Sequence, residues 1–144
     1  MTFTAPRHAA GQYAQMNAYT GVTAASPHRL VQMLMEGALN RIATAKGCLA
    51  RGDMEPKSAQ ISNAAAIING LRSSLDFDSG GEIAQNLDAL YDYMLRRLME
   101  GHRANDAAAL DEVAGLLRQI KEGWDAIPPE LHHTTAASPD SAVG

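Results

Sequence analysis

Residues 110–127 read LDEVAGLLRQIKEGWDAI, and this stretch decides the fold. Its apolar side chains recur at alternating steps of three and four residues, which places them on one face of a helix. A helix with one apolar face must pack that face against other helices, so the stretch predicts one member of a bundle. The side chains expected on the buried face are Leu110, Val113, Leu117, Ile120, Trp124 and Ile127.

Similar spacing recurs three times upstream, between recognisable start and stop signals. Ser26 is a good N-cap, Pro27 suits the first helical position, and Gly52 can close a helix, which predicts a first helix over 27–51. A second helix is predicted from residues 54–56 to Leu75. The expected core positions of these two helices are Val31, Leu34, Ala38, Ile42, Ala45, Leu49, Ile61, Ala64, Ala65, Ile68, Leu71 and Leu75.

The third helix is predicted to begin at Ser79, because Ser79 and Glu82 have the spacing of a capping box. Residues 101–106 should break it before the fourth helix, with Asn105 or Asp106 as the next N-cap. The expected core positions of the third helix are Ile83, Leu87, Leu90, Met94 and Leu98.

These patterns predict an all-α fold, an antiparallel four-helix bundle over residues 26–127. Residues 1–25 should form a flexible or short-helical N-terminal segment. Residues 128–144 follow a Pro-Pro pair and are rich in small polar residues, which predicts a disordered tail.

Composition narrows the function classes. The net charge of −4 and the lack of a basic cluster argue against nucleic acid and against an anionic membrane surface as partners. The single cysteine allows no internal disulfide, and we find neither a secretory signal nor an apolar run long enough to span a membrane. The sequence therefore predicts a soluble, cytoplasmic protein.

The residues give little support to catalysis. One Glu-x-x-His spacing ends at His133, but it lies in the predicted tail, and the loop that begins at Asp76 lacks the bidentate acid of a calcium site. His28 and His102 could suggest a phosphotransfer bundle, although both lie near predicted helix ends. Cys48 has no nearby charges that would activate it. We expect no enzyme, no catalytic residue, no metal and no cofactor.

Apolar residues outside the predicted core positions point to binding instead. Ala66, Ile67 and Gly70 on the second helix, with Tyr91 and Leu95 on the third, form a second apolar face. Such a surplus usually marks a partner groove, a dimer face or a wider core, and the pattern by itself leaves these alternatives open.

Several sequence motifs resemble the family of flagellar secretion chaperones named FliS, over about residues 13–127. Met35 departs from the pattern, since many members carry an aromatic residue there, and the C-terminal tail does not align. The matching motifs, specific in their order and spacing, are Thr23–Leu34, Glu36–Leu39, Ile67–Asp76, Gly80–Ala84, Asn86-Leu87, Leu90–Met94, Arg96–Leu98, Asn105-Asp106, Glu112-Val113, Gly115–Leu117 and Trp124.

The resemblance implies a cytosolic chaperone that binds the disordered C-terminal segment of flagellin, prevents premature polymerisation and presents the subunit to the export gate. It also implies that the N-terminal segment, through Tyr13 or Tyr19, can act as a lid over the client surface. An export-gate component or a co-chaperone is a further possible partner, as is a second copy of the chain. Arg96 and Arg97 could contact a client carboxylate, although solvated surface charges explain them as well.

The flagellin groove is predicted to contain Ala66, Ile67, Gly70, Tyr91 and Leu95. In that case Ile67→Asp should weaken flagellin binding and leave the bundle folded. Unfolding of this variant would instead assign Ile67 to the core.

Overall fold

A computed structural model describes residues 26–131 of the chain. It contains four α-helices, α1 Pro27–Arg51, α2 Met54–Ser73, α3 Phe77–Ala104 and α4 Ala107–Asp125, and a 3₁₀ turn at Pro129–Leu131. Each helix packs against its neighbours in sequence, and α1 also packs against α4, so the bundle is closed. The predicted antiparallel four-helix bundle is confirmed, without strands in the described part of the chain. Of the predicted tail over 128–144, the part at Pro129–Leu131 forms this 3₁₀ turn, and the predictions for residues 1–25 and 132–144 lie outside the described residues.

The bounds of α1 follow from its caps. The Ser26 hydroxyl accepts a hydrogen bond of 3.1 Å from the backbone N–H of Arg29, and Pro27 is the first helical residue. At the other end Gly52 has φ 78°, a left-handed conformation that costs glycine little and closes the helix. Both signals were read correctly from the sequence.

The start of α3 differs from the prediction. Asp76, not Ser79, is the N-cap, because its carboxylate accepts hydrogen bonds of 3.1 Å from the N–H groups of Asp78 and Ser79. These bonds hold the pKa of Asp76 below its usual range, the bond from Ser79 contributing most. Gly81 then interrupts the helical conformation with φ 52° and ψ −125°, so a short turn precedes the long helix.

The junction of α3 and α4 explains Gly101, which was predicted to break α3. The helix continues through Ala104, and Gly101 is buried inside it. A Cβ atom at Gly101 would lie 3.1 Å from Cδ2 of Leu110 and 3.2 Å from Cβ of Ala109, so glycine allows α4 to approach closely. The chain turns at Asn105, which has φ 51°, and Asp106 caps α4.

One apolar core runs through the bundle. Most predicted core positions on α1, α2 and α4 are buried, whereas Leu34, Leu49, Ala65, Ile120 and Trp124 are partly buried and pack against the core. The largest fully buried apolar side chains are Met35, Ile42, Ile61, Ile68, Met94, Leu98, Leu110, Leu117 and Val113.

In the first half of α3 the two apolar faces exchange the roles that the sequence predicted, whereas Met94 and Leu98 are buried as predicted. Tyr91, assigned to the second face, is buried in the core, and so is Ala84 two turns before it. Ile83 and Leu90, assigned to the core, keep 51% and 36% of their surface exposed, and Leu87 between them is partly buried. In that half of α3 the exposed apolar side chains therefore lie on the edge that was predicted to be buried.

The N-terminal end of α1 is tied to the C-terminal end of α4. The rings of His28 and Trp124 stack with centroids 4.8 Å apart, and Trp124 Nε1 donates a 2.9 Å hydrogen bond to the His28 carbonyl oxygen. One turn further along, Gln32 Nε2 donates to Asp125 Oδ1 at 2.7 Å. These contacts close the bundle end at which Ser26 lies.

Lys57 joins α2 to the end of α3 at the opposite end of the bundle. It is 3% exposed, and its Nζ donates to the carbonyl oxygen of His102 at 3.0 Å and to Oδ1 of Asn105 at 2.5 Å. A cation is favourable at a helix C-terminus, where unpaired carbonyl groups concentrate negative charge. Lys57 thus completes the end of α3 with a side chain from α2.

Candidate functional site

The five residues predicted to form a client groove divide by burial. Ile67 is 8% and Tyr91 3% exposed, and both belong to the core. Ala66 is exposed, Gly70 is half-buried, and Leu95 is partly buried against the core. Burial also raises the pKa of the Tyr91 hydroxyl well above its ordinary value. The accessible part of the predicted face is therefore Ala66, Gly70 and the outer edge of Leu95.

Ile67 lies at the contact between α1 and α2. A Cβ atom on Gly37 of α1 would meet Cδ1 of Ile67 at 3.6 Å. Arg72 follows five residues later, about 140° around the helix at about 100° per residue, and contacts α3. The five residues therefore do not line a single groove, because Ile67 faces α1 whereas Tyr91 and Leu95 belong to α3.

Exposed apolar residues on α3 offer a surface that the sequence analysis assigned to the core. Ile83, Leu87 and Leu90 follow one another at steps of four and three residues and lie on one side of the helix. Phe77, in the short turn before Gly81, is 47% exposed. The signal was present in the sequence, but both apolar faces of α3 have helical spacing, and spacing by itself does not select which one is buried.

A network of ion pairs joins α2 to α3 on another side of α3. Arg72 contacts Asp88 through Nε at 2.7 Å and Nη2 at 3.4 Å, and Asp92 through Nη1 at 3.1 Å. Arg96 Nε donates to the second oxygen of Asp92 at 3.0 Å. The pKa of Asp92 is lowered, chiefly by the hydrogen bond from Arg96, and that of Arg72 is raised, chiefly by Asp88. Arg96 therefore already has a carboxylate partner within the chain.

The network continues toward α4. The guanidinium of Arg96 lies 5.8 Å from the ring centroid of Tyr93, whose hydroxyl donates to Glu112 at 2.5 Å. Arg97 Nε donates to the other Glu112 oxygen at 2.7 Å, and its Nη1 donates to Glu100 at 2.8 Å. The pKa of Glu112 is lowered, first by the Tyr93 hydroxyl and then by Arg97. Neither arginine of the Arg96–Arg97 pair is available as an unpaired cation.

An open depression of about 710 Å³ lies over this part of α3 and α4. Leu95 and Met99 give it apolar surface, and Met99 is 46% exposed. The remaining lining consists of the paired polar residues Tyr93, Arg96, Arg97, Glu100 and Glu112.

The candidate catalytic residues are placed unfavourably for chemistry. His28 is buried against Trp124, Nδ1 of His102 is buried, and Cys48 is 3% exposed. Arg51 and Asp53 pair with each other at 3.1 Å across the turn that Gly52 forms. Among the described residues no group of three or more His, Cys, Asp or Glu side chains is placed to hold a metal ion. His132, His133, Tyr13 and Tyr19 lie outside those residues.

No described helix is both long and apolar enough to cross a membrane. What the described surface does offer is exposed apolar side chains on a helical scaffold. That arrangement suits binding of another helix or an extended segment.

Comparison with known proteins gives a consistent result. A family model described as flagellar protein FliS matches residues 9–131. The flagellar secretion chaperone FliSB of Pseudomonas aeruginosa is 48% identical over 116 residues, which are 81% of this chain and 92% of that protein. FliS of Vibrio cholerae is 42% identical over 87% of this chain and 92% of its own. FliS of Salmonella typhimurium is 47% identical over 82% of this chain and 88% of its own.

Proposed function

This chain belongs to the FliS family of flagellar secretion chaperones, and from that premise we propose that it binds the disordered C-terminal segment of flagellin in the cytoplasm. Binding prevents premature polymerisation and delivers the subunit to the export apparatus. The chain acts without catalysis, metal or cofactor, because a chaperone needs differential binding of its client and no bond is made or broken.

The observation that supports this proposal best is the exposed apolar surface on α3. Ile83 and Leu90 remain open to solvent although the bundle has a complete core beside them. Together with Leu87 they repeat at the steps that a docked helix presents in return, which is the pattern of helix-in-groove recognition. Exposed apolar side chains at helical spacing suit a client segment that folds on binding.

We assign two further client contacts to accessible residues of the predicted groove, one to Ala66 and Gly70 on α2 and one to Leu95 on α3. Ile67 and Tyr91 belong to the core and are not assigned to either contact. A client that covers separate surfaces must wrap around the bundle. A long contact of this kind is needed because ordering a disordered segment costs about 2–5 kcal/mol.

Gly70→Gln tests the α2 contact. No atom lies within 4 Å of a Cβ atom built at Gly70, so the side chain fits the free protein and should raise stability by about 0.5–1 kcal/mol through helix propensity. In the complex the same side chain occupies the client's space, and we expect a loss of affinity of roughly tenfold or more, about 1.4 kcal/mol. The measurement is calorimetric titration with a peptide of the C-terminal segment of the host flagellin.

Gly115→Gln is the matched control, because a Cβ atom at Gly115 on α4 also meets no atom within 4 Å. It should gain similar stability and bind the peptide as the parent does. Saturable one-to-one binding by the parent, with a negative heat-capacity change, supports the chaperone function. Absence of peptide binding by the folded parent contradicts it, and equal affinity of both glycine variants contradicts only the α2 contact.

Residues 1–25, with Tyr13 and Tyr19, provide the lid in this proposal. They enter the fold at Ser26, at the bundle end where α3 begins, so they can reach the stripe of Ile83 and Leu90. Deleting residues 1–20 should therefore raise the association rate of the flagellin peptide or its affinity. Stopped-flow fluorescence of Trp124 measures that rate. An unchanged rate and an unchanged affinity would contradict a lid function of residues 1–25.

A homodimer through the same stripe is the alternative use of this surface. Sedimentation with and without the flagellin peptide separates the two functions. A monomer that forms a one-to-one complex supports a client site, whereas a dimer that the peptide leaves intact assigns the stripe to self-association. In the client-binding case, we expect a co-chaperone or an export-gate component to bind the complex of this chain with flagellin.

A further inference from the structure

Two long cationic side chains of α2 span the contact between α2 and α3, one at each end. Lys57 bonds to the C-terminal end of α3, and Arg72 bonds to Asp88 and Asp92 near the middle of α3. The two anchors are 15 residues apart on α2, which is about 22 Å at 1.5 Å per residue. They therefore fix both the register and the separation of the two helices.

The side chains of Lys57 and Arg72 differ in burial. Lys57 is buried, whereas the side chain of Arg72 is 33% exposed and its partners Asp88 and Asp92 are 32% and 41% exposed. An exposed ion pair contributes little to global stability. The geometry of this ion pair is nevertheless specific, because the Arg72 guanidinium donates hydrogen bonds to both oxygens of Asp88 and to Asp92 one turn away.

Asp88 and Asp92 also need a cation between them. They are four residues apart on one helix face, where two carboxylates repel each other. Leu95, on the same side of α3, follows one helical turn after Asp92. If Arg72 releases this pair, α3 loses a polar connection to α2 near the accessible edge of Leu95.

We propose that Arg72 is a positioning residue of the client site: by holding Asp88 and Asp92 it fixes the separation of α2 and α3 and preorganises the accessible edge of Leu95 on α3. This inference rests on the proposed function. A preorganised surface loses less conformational entropy when the client docks, so affinity depends on a side chain that need not touch the client.

Arg72→Gln tests the proposal with two readouts. Affinity for the flagellin peptide should fall roughly three- to tenfold, which is typical of coupling through a neighbouring element, while the urea midpoint changes little. Spin labels are attached at Ser73→Cys and Gln85→Cys in a Cys48→Ala background. The distribution of distances between these two labels should be broader with Arg72→Gln than in the parent. Labels at Ala59→Cys and Arg103→Cys, near Lys57, should keep their distribution.

Two further variants make the test specific. Arg72→Lys keeps the charge and loses the fork, so its affinity should lie between those of the parent and Arg72→Gln. The exchange of Arg72→Asp with Asp88→Arg should restore much of the affinity, which a general loss of structure would not allow.

Several outcomes overturn the inference. Unchanged affinity in Arg72→Gln removes the positioning role, and reduced affinity with an unchanged label distance shows that Arg72 contacts the peptide directly. Failure of the charge exchange to recover affinity also contradicts it. If the parent itself does not bind the peptide, the proposed function and this inference both fail, whereas normal parent binding with an unaffected variant overturns this inference only.

Discussion

Ile67→Asp should unfold the bundle, in contrast to the surface role that the sequence predicted for Ile67. The side chain is 8% exposed, belongs to the core and faces Gly37 across the contact between α1 and α2. Placing a carboxylate there removes it from water without a built partner, which costs several kcal/mol. A domain of this size has a total stability of about 5–15 kcal/mol, so most of it would be lost.

The direction of the pH dependence gives an independent check. In the folded variant, burial raises the pKa of the new carboxyl above the value of about 3.9 that it has in the unfolded chain. The folded state then binds more protons than the unfolded state between these two values, so stability falls as pH rises through that interval. Circular dichroism during urea titration at mildly acidic and neutral pH should show a higher midpoint at the acidic pH, relative to the parent.

Ala66→Asp is the matched control, because it introduces the same charge one residue earlier at an exposed position. It should fold with a urea midpoint close to that of the parent and weaken binding of the flagellin peptide. A folded Ile67→Asp protein with reduced peptide affinity would instead place Ile67 on the client surface, as the sequence first predicted.

Local signals explain why the helices were predicted well. Ser26, Pro27 and Gly52 set the bounds of α1 through hydrogen bonds and backbone preferences that involve only neighbouring residues. The start of α3 was predicted wrongly because two capping residues compete there. Asp76 accepts two backbone hydrogen bonds, and Gly81 adopts a conformation that a continuous helix from Ser79 does not allow.

Tertiary contacts explain the remaining differences. The α3 residues Ile83 and Leu90 are as apolar as the buried Tyr91, and both faces have helical spacing, so packing against α2 and α4 selects the buried one. Gly101 looks like a helix breaker in the sequence. In the fold it marks the close approach of Leu110 and Ala109, which depends on residues from another helix.

The presence of exposed apolar side chains was therefore predictable, but not which residues expose them. Surplus apolar residues at helical spacing indicated a binding surface, and the bundle does expose such residues. The ion pairs of Arg72 were not predictable from the sequence, because a lone arginine on a helix gives no signal until the fold brings Asp88 and Asp92 opposite it. Charge partners that are 16 and 20 residues apart are set by the turn between α2 and α3, not by a local motif.

Lys57→Ala should lower the free energy of unfolding by about 2–4 kcal/mol, the second largest effect that we expect. The substitution removes the donor that satisfies the His102 carbonyl group and the Asn105 side chain. It also leaves a cavity where the aliphatic part of the lysine packed, since Lys57 is 3% exposed. The negative end of α3 then loses the cation that faces it.

Lys57→Met separates packing from polarity, because methionine retains most of the aliphatic stem and lacks the ammonium group. We expect it to recover part of the loss and to remain less stable than the parent, since the acceptors stay unsatisfied. Lys46→Met is the matched control: Lys46 pairs with Asp111 at the surface, and such a pair contributes about 0–1 kcal/mol. Urea unfolding followed by circular dichroism measures all three variants, and a Lys57→Ala protein as stable as Lys46→Met would show that the bonds to α3 contribute no net stability. Because Lys57 holds the end of the α2–α3 contact far from Arg72, folded Lys57→Met should bind the flagellin peptide nearly as the parent does, in contrast to Arg72→Gln.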